Sequence, residues 1–199
     1  MQIKFTNYKP QALVPVIGLL WTISSWALAK LWGYGFLQGI GPTAIVMGFL
    51  TFYDKYFWKL PVLNLLTTLP DLNGDYEGEI GYHYNGQDGT KSCKLTINQT
   101  CSIIKVKSIF SKDGENDTQS VSTEAFIKTD QAGDQLLYFY YHNAGSSKSG
   151  DTLDAHDGMN VLEIIKDNKS LTLKGYYFTN RNPQTKGCME VTKTTERGK

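Results

Sequence analysis

The chain has 199 residues, a formal net charge of +1 and 41% hydrophobic residues. A nearly neutral chain lacks the excess of positive charge that is typical of proteins that bind nucleic acid polymers, so we expect no DNA or RNA polymer as a partner. Its three cysteines are an odd number without metal-ligand spacing. They argue against a disulfide framework and are typical of reduced cytosolic thiols.

The N-terminal part is strongly apolar. Pro10–Tyr53 covers 44 positions and carries one charge, Lys30. The hydrocarbon core of a bilayer takes about 20 residues of helix to cross, and Lys30 divides the run into two segments of about that length. The sequence predicts two transmembrane helices, at about 11–30 and 36–57, within a membrane domain of residues 1–59. The alternatives are a buried helical hairpin of a soluble protein, which needs polar residues at helical spacing, and a cleaved signal peptide, which is shorter.

Aromatic residues lie where the two predicted spans end, as in the belts at membrane interfaces. They are Trp32, Tyr34 and Phe36 at the turn, and Tyr53, Tyr56, Phe57 and Trp58 after the second span.

Lysine positions predict the orientation of the spans. Lys4 and Lys9 precede the first span, Lys55 and Lys59 follow the second, and Lys30 alone marks the turn. Because cytoplasmic segments carry the excess of positive charge, we expect both termini in the cytoplasm.

Residues 60–71 form a linker or a short helix, and 72–199 a separate β domain. Short alternating runs there, separated by Gly, Asn and Asp, predict eight strands. They are Gly74–Tyr84, Lys91–Gln99, Ser102–Phe110, Gln119–Thr129, Gln135–Asn143, Met159–Lys166, Ser170–Thr179 and Cys188–Thr194. Predicted turns lie at Asn85-Gly86, Asp88-Gly89, Asp113-Gly114 and Asp167-Asn168.

Eight sequential strands with short connections favour an eight-stranded antiparallel up-and-down barrel of the lipocalin or streptavidin type, because closure removes exposed strand edges. Such a barrel encloses room for side chains or one small ligand. A two-sheet sandwich fits the same pattern.

Catalytic signatures are lacking in the sequence, so we expect a receptor or assembly module and no enzyme. No zinc-protease, nucleophile-elbow, phosphate-loop or paired-cysteine motif occurs. Asp151, Asp154, His156 and Asp157 form a small acidic cluster. Hairpin loops commonly contain such residues, so we expect neither a metal nor a cofactor.

The β domain instead contains many aromatic rings, which can stack on bases. It contains few arginines. Arg181 follows the seventh predicted strand, where it either binds a phosphate or a guanine edge, or closes the bottom of the barrel by stacking on an aromatic ring. Strand phase and chemistry predict six ligand-binding residues: Tyr76, Tyr82, Tyr138, Tyr140, Asn180 and Arg181. Because both faces of the fifth strand are apolar, Leu137, Phe139 and Tyr141 are the alternative inward set.

Two motifs carry a resemblance to a known family. The first is Leu72-Asn-Gly74-Asp-Tyr76-Glu-Gly78, which opens the β domain after the two apolar spans. The second is Gly175-Tyr-Tyr-Phe-Thr-Asn-Arg181, with Gly187 after it. In this order the chain resembles the two-transmembrane, β-strand-rich effectors of bacterial cyclic-oligonucleotide-based antiphage signalling systems (CBASS). Gly74-Asp-Tyr76 also resembles the Gly-x-Trp opening of lipocalin-type barrels, in which a late arginine, here Arg181, stacks on the ring.

The CBASS resemblance implies a mechanism at the bacterial inner membrane. A partner nucleotidyltransferase makes a cyclic dinucleotide during phage infection, and the cytosolic barrel binds it as activating ligand. The barrels then oligomerise, the helices disrupt the bilayer, and the infected cell dies. The alternative is a membrane-tethered barrel that binds a lipid or apolar ligand, or a non-catalytic scaffold.

Overall fold

The computed structural model describes residues 3–31, 41–60, 64–112, 115–145, 154–167 and 170–194. The chain divides into two compact units. One is helical and comprises Met1–Asp71 with Thr100–Ile103; the other comprises Leu72–Gln99 and Ile104–Lys199.

The helical unit contains α1 (Pro10–Leu31) and α2 (Pro42–Lys55). By length and composition α1, with 22 residues, is suited to cross a bilayer, and its bounds agree with the first predicted span. The described part of the second predicted span contains the 14-residue α2. Residues 36–40 of that span, and the aromatic residues Trp32, Tyr34 and Phe36, lie outside the described residues, so the second span stays a prediction.

A buried carboxylate organises the end of α2. Asp54 is 1% exposed and accepts hydrogen bonds from the hydroxyls of Tyr8, at 3.3 Å, and Ser102. Its backbone oxygen accepts a bond from the amide of Cys101 at 2.9 Å. Burial of a carboxylate requires such partners. Asp54 therefore joins the N-terminal segment, α2 and residues Thr100–Ile103 within this unit.

The second unit is a closed antiparallel barrel in which each strand pairs with the next and the last pairs with the first. Its strands are β1 (Gly74–Tyr84), β2 (Gln87–Gln99), β3 (Ile104–Lys112), β4 (Glu115–Thr129), β5 (Gln135–Asn143), β6 (His156–Asp167), β7 (Ser170–Thr179) and β8 (Lys186–Lys193). The barrel prediction is confirmed, and β1, β5 and β7 have the predicted bounds.

The predicted turns have different outcomes. Asn85 and Gly86 form a two-residue turn with φ values of 50° and 76°, as this hairpin type requires. The turn expected at Asp88-Gly89 is wrong, because both residues lie in β2 opposite His83 and Tyr82. A two-residue hairpin leaves no room for a second turn so close. Asp113, Gly114 and Asn168 lie outside the described residues.

The barrel interior changes character along its length. At the end where the chain enters at Leu72, inward side chains are apolar and fully buried: Leu95, Ile97, Leu173 and Val191 are at most 1% exposed. At the opposite end, where β1 turns into β2, the inward residues are larger and more polar, and a cavity opens. The apolar end forms the core, and the other end is the candidate site.

A substitution at Gly78 tests how closely the first and last strands of the barrel approach each other. A Cβ at this position would overlap the backbone oxygen of Glu190 on β8, and a paired strand cannot move aside. We expect Gly78→Ala to destabilise the barrel by ~3 kcal/mol, as overpacking does. Gly81→Ala is the control, since its Cβ would meet the side-chain sulfur of Cys188 at 3.1 Å. Thermal unfolding of the full chain in detergent, followed by circular dichroism, measures both; equal unfolding midpoints would contradict the prediction.

Candidate ligand-binding site

A cavity of about 180 Å³ opens at the end of the barrel opposite the apolar core. It lies where β1, β3, β5 and β7 end, and its described lining residues come from β1 to β7 and from the segment between β7 and β8. Aromatic rings form much of the lining: Tyr82, Tyr84, Phe110, Tyr141 and Tyr177. Uncharged polar side chains supply the rest of the wall, chiefly Thr118, Ser120, Asn143, Thr179 and Thr185. Flat apolar faces with a few polar groups are typical of small-molecule sites.

Hydrogen bonds hold the polar wall in place. Asn143, 3% exposed, donates from Nδ2 to the hydroxyl of Ser120 at 2.9 Å and accepts from the amide of Gly145 at 2.8 Å. The Thr179 hydroxyl accepts from the amide of Thr185 at 3.1 Å and donates to its carbonyl. These side chains are therefore preorganised, which reduces the entropy lost when a ligand binds.

Two cations line the mouth among the residues that the structure describes. The guanidinium of Arg181 lies 4.3 Å from the ring centre of Tyr84, a cation–π contact. Its Nη1 donates to the Thr185 hydroxyl at 3.4 Å. A guanidinium has five N–H donors in a planar fork, so it retains donors for an anion. Lys91 of β2, opposite Ile80 of β1, also lines the cavity and is half-buried.

His156 adds a hydrogen-bond acceptor. Burial lowers its pKa below the usual value of 6.5, so the ring is neutral at pH 7. Its Nδ1 lies 2.9 Å from the carbonyl oxygen of Asp154 and must be the donor there. The neutral ring then has Nε2 as an acceptor. Burial also raises the pKa of Tyr141 and Tyr177, so both phenols stay protonated.

Comparison with known families identifies the family of the β domain. The family model of the Cap15 cyclic dinucleotide receptor domain matches residues 67–193. The chain belongs to this family. The match covers more than half of the chain, includes all eight strands and confirms the resemblance to CBASS effectors. A search of curated proteins found no match.

Two of the predicted ligand-binding residues, Tyr82 and Arg181, line the cavity of this receptor domain. Asn180 lies beside it, where its side-chain oxygen accepts from the amide of Asp157 at 3.0 Å. Tyr76 faces inward, as its strand phase predicts, but belongs to the apolar core. It is fully buried, and its hydroxyl donates to the Leu72 carbonyl at 2.8 Å.

The inward orientation predicted for Tyr138 and Tyr140 is wrong. From Leu137 onward the odd-numbered residues of β5 are buried, so Leu137, Phe139 and Tyr141, the alternative set, face inward. Tyr138 stacks on Phe126 at 5.1 Å between ring centres, and Tyr140 is 45% exposed. The outer face of β5 itself carries Leu136, Tyr138 and Tyr140, so both of its faces are apolar and periodicity alone cannot distinguish them.

The arginine pairing expected from lipocalin-type barrels is also wrong. Arg181 stacks on Tyr84 at the open mouth, whereas Tyr76 lies at the other end of β1. A contact with an aromatic ring is one of the roles that the sequence predicts for Arg181. Its position at the mouth, beside a cavity, is compatible with the other role, a contact with phosphate.

The acidic cluster divides between two faces. Asp157 lies 2.9 Å from Nδ1 of His142, a contact that lowers the pKa of Asp157, while His156 lines the cavity. Asp151 lies outside the described residues. Among the residues that the structure describes, no group of three or more potential ligands is arranged to hold a metal ion.

The cysteines provide a test of the inward and outward assignments. Burial raises the pKa of Cys93 to about 12 and that of Cys101 to about 11, while Cys188 is exposed. Since the thiolate is the reactive species, we expect one thiol per folded chain to react with a disulfide reagent at pH 8. Cys188→Ser should abolish the rapid reaction, and reaction of Cys93 at a similar rate would contradict its burial.

Proposed function

We propose that the cavity at the open mouth of the barrel binds a cyclic dinucleotide, and that this binding activates the chain as a membrane effector of antiphage defence. The observation that carries the proposal is a cavity of aromatic rings with Arg181 at its mouth, inside a domain of the cyclic dinucleotide receptor family.

The lining matches the chemistry of this ligand class. Aromatic rings such as Tyr82 stack on bases, with about 1–3 kcal/mol per base in other proteins. A cyclic dinucleotide has two phosphodiesters, and the described part of the lining contains two cations, Lys91 and Arg181. Arginine suits phosphate because its planar fork donates two parallel hydrogen bonds. A cavity for a lipid would not need these donors, so the lining favours a nucleotide over an apolar ligand.

Activation requires that the ligand bind one state of the protein better than another. We propose that the ligand-bound barrels associate and that their N-terminal helices cluster in the bacterial inner membrane, with both termini in the cytoplasm. The partner nucleotidyltransferase supplies the ligand, and the effector itself catalyses no reaction. Pro10–Tyr53 carries one charge, Lys30, and thus no polar stripe to line a pore, so we propose that the clustered helices disrupt the bilayer without forming a selective channel.

Arg181 tests the ligand site. Calorimetry on the full chain in detergent, with a panel of cyclic di- and trinucleotides, should identify a ligand. Because a hydrogen bond to a charged group contributes about 1.5–3 kcal/mol, Arg181→Ala should weaken its binding by roughly 10-fold or more.

Lys186→Ala is the control for Arg181→Ala. Lys186 is an exposed residue of β8 near the same mouth, and its removal changes net charge equally without touching the cavity. We expect its Kd to match wild type. If no cyclic nucleotide binds the folded protein, the lipid-binding or scaffold alternative replaces the proposal; if Arg181→Ala binds normally, the ligand binds elsewhere.

Membrane disruption requires its own test. The full chain, reconstituted in vesicles of bacterial phospholipid, should release a trapped dye after addition of the ligand identified above. Dye release should be accompanied by an increase in the mass of the protein particles, because disruption requires clustering of the protein. Arg181→Ala should release dye only at higher ligand concentration. Unitary, ion-selective currents in a planar bilayer would contradict disruption without a lined pore.

A further inference from the structure

The cavity is too small for a whole cyclic dinucleotide. Pockets that surround a drug-sized ligand enclose roughly 300–1,000 Å³, whereas this cavity encloses about 180 Å³. Only a fragment of the ligand, of about the size of one nucleobase, fits inside the barrel. The remainder must stay at the mouth.

The charges of the lining indicate which fragment enters. The deeply buried polar side chains, Ser120, Asn143 and Thr179, are 2–3% exposed and uncharged. A phosphate among them would leave water without a counterion, at a high cost in free energy. Arg181 and Lys91 are half-buried and can meet phosphates that remain partly in water. The entering fragment is therefore a neutral, flat base.

A buried acceptor lies next to this lining. Asn160 of β6 is 3% exposed, and its Oδ1 has no hydrogen-bond donor within the described part of the chain. Its cross-strand neighbour on β7 is Tyr177, which lines the cavity. An unpaired buried acceptor costs about 1–3 kcal/mol. A donor on the edge of an inserted base would remove that cost.

We infer that the receptor inserts one base of a cyclic dinucleotide into the barrel and reads its edge there, with Asn160 as an acceptor. The second base and both phosphates remain at the mouth. This inference rests on the proposed function and adds to it an asymmetry: the two bases of the ligand are not recognised equally.

Hybrid ligands distinguish one inserted base from two recognised bases. The probes are the 3′,5′-linked cyclic homodinucleotides of adenine, guanine and uracil, and the three hybrids that combine them. Calorimetry with the full chain in detergent gives each Kd. If one base is read, a hybrid presents the preferred base in one of two orientations, and its Kd lies within about 2-fold of the tighter homodinucleotide, a statistical factor.

Recognition of both bases gives a different result. If the two bases contribute additively, the Kd of the hybrid is the geometric mean, roughly 10-fold weaker than the tighter ligand when the homodinucleotides differ ~100-fold. That result, or equal affinity for all homodinucleotides, overturns the inference and leaves the proposed function intact. If none of the six ligands binds, the proposed function itself is overturned.

Asn160→Leu tests the acceptor. We expect about a 10-fold loss of affinity for the preferred homodinucleotide, a reduced difference among the homodinucleotides, and no loss of thermal stability. Asn98→Leu is the control, because Asn98 is an exposed residue on the outer face of β2. If the leucine variant does not fold, Asn160→Ala replaces it. Unchanged affinity and base preference in a folded variant overturn the role of Asn160.

Discussion

The pairing of β1 with β8 is the constraint on which the rest of the barrel depends. It extends from Tyr76 opposite Lys193 to His83 opposite Lys186 and leaves neither strand with an open edge. The close approach of the two strands requires Gly78. Closure brings Tyr82 and Tyr84 of β1 beside the segment that carries Arg181, which is distant in sequence. Without this pairing the cavity would have no wall on that side.

The same inward face of β1 serves two purposes at its two ends. Tyr76 is in the apolar core and Tyr82 in the cavity wall, about 20 Å along the strand at the usual rise per residue. The core end supplies buried apolar area, which stabilises the fold. The open end combines half-buried cations and the half-buried rings of Tyr82 and Tyr84 with buried hydroxyls, and these polar groups add less to stability. The two ends of the barrel thus differ in what they contribute to stability and in what they offer a ligand.

Much of the fold follows from the sequence, whereas the site follows only in part. Period-two alternation in β1 and the Asn85-Gly86 turn identified strands and connections because both signals are local. The sequence predicts the wrong face for Tyr138 and Tyr140 because β5 is apolar on both faces. It does not single out Asn143 and Asn160, since a lone asparagine in a strand carries no signal before the register of the neighbouring strands is known. The buried Asp54 depends likewise on partners from distant segments.

The order of the strands has a consequence for biosynthesis. In an up-and-down barrel, each strand from β2 to β7 finds its partners next to it in the chain, so hairpins can form as the polypeptide emerges from the ribosome. The cavity cannot form at that stage, because Arg181 and Thr185 follow β7 in the chain. The cavity wall closes only when β8 pairs with β1. A nascent chain therefore lacks the complete cavity until β8 has been translated and has paired with β1.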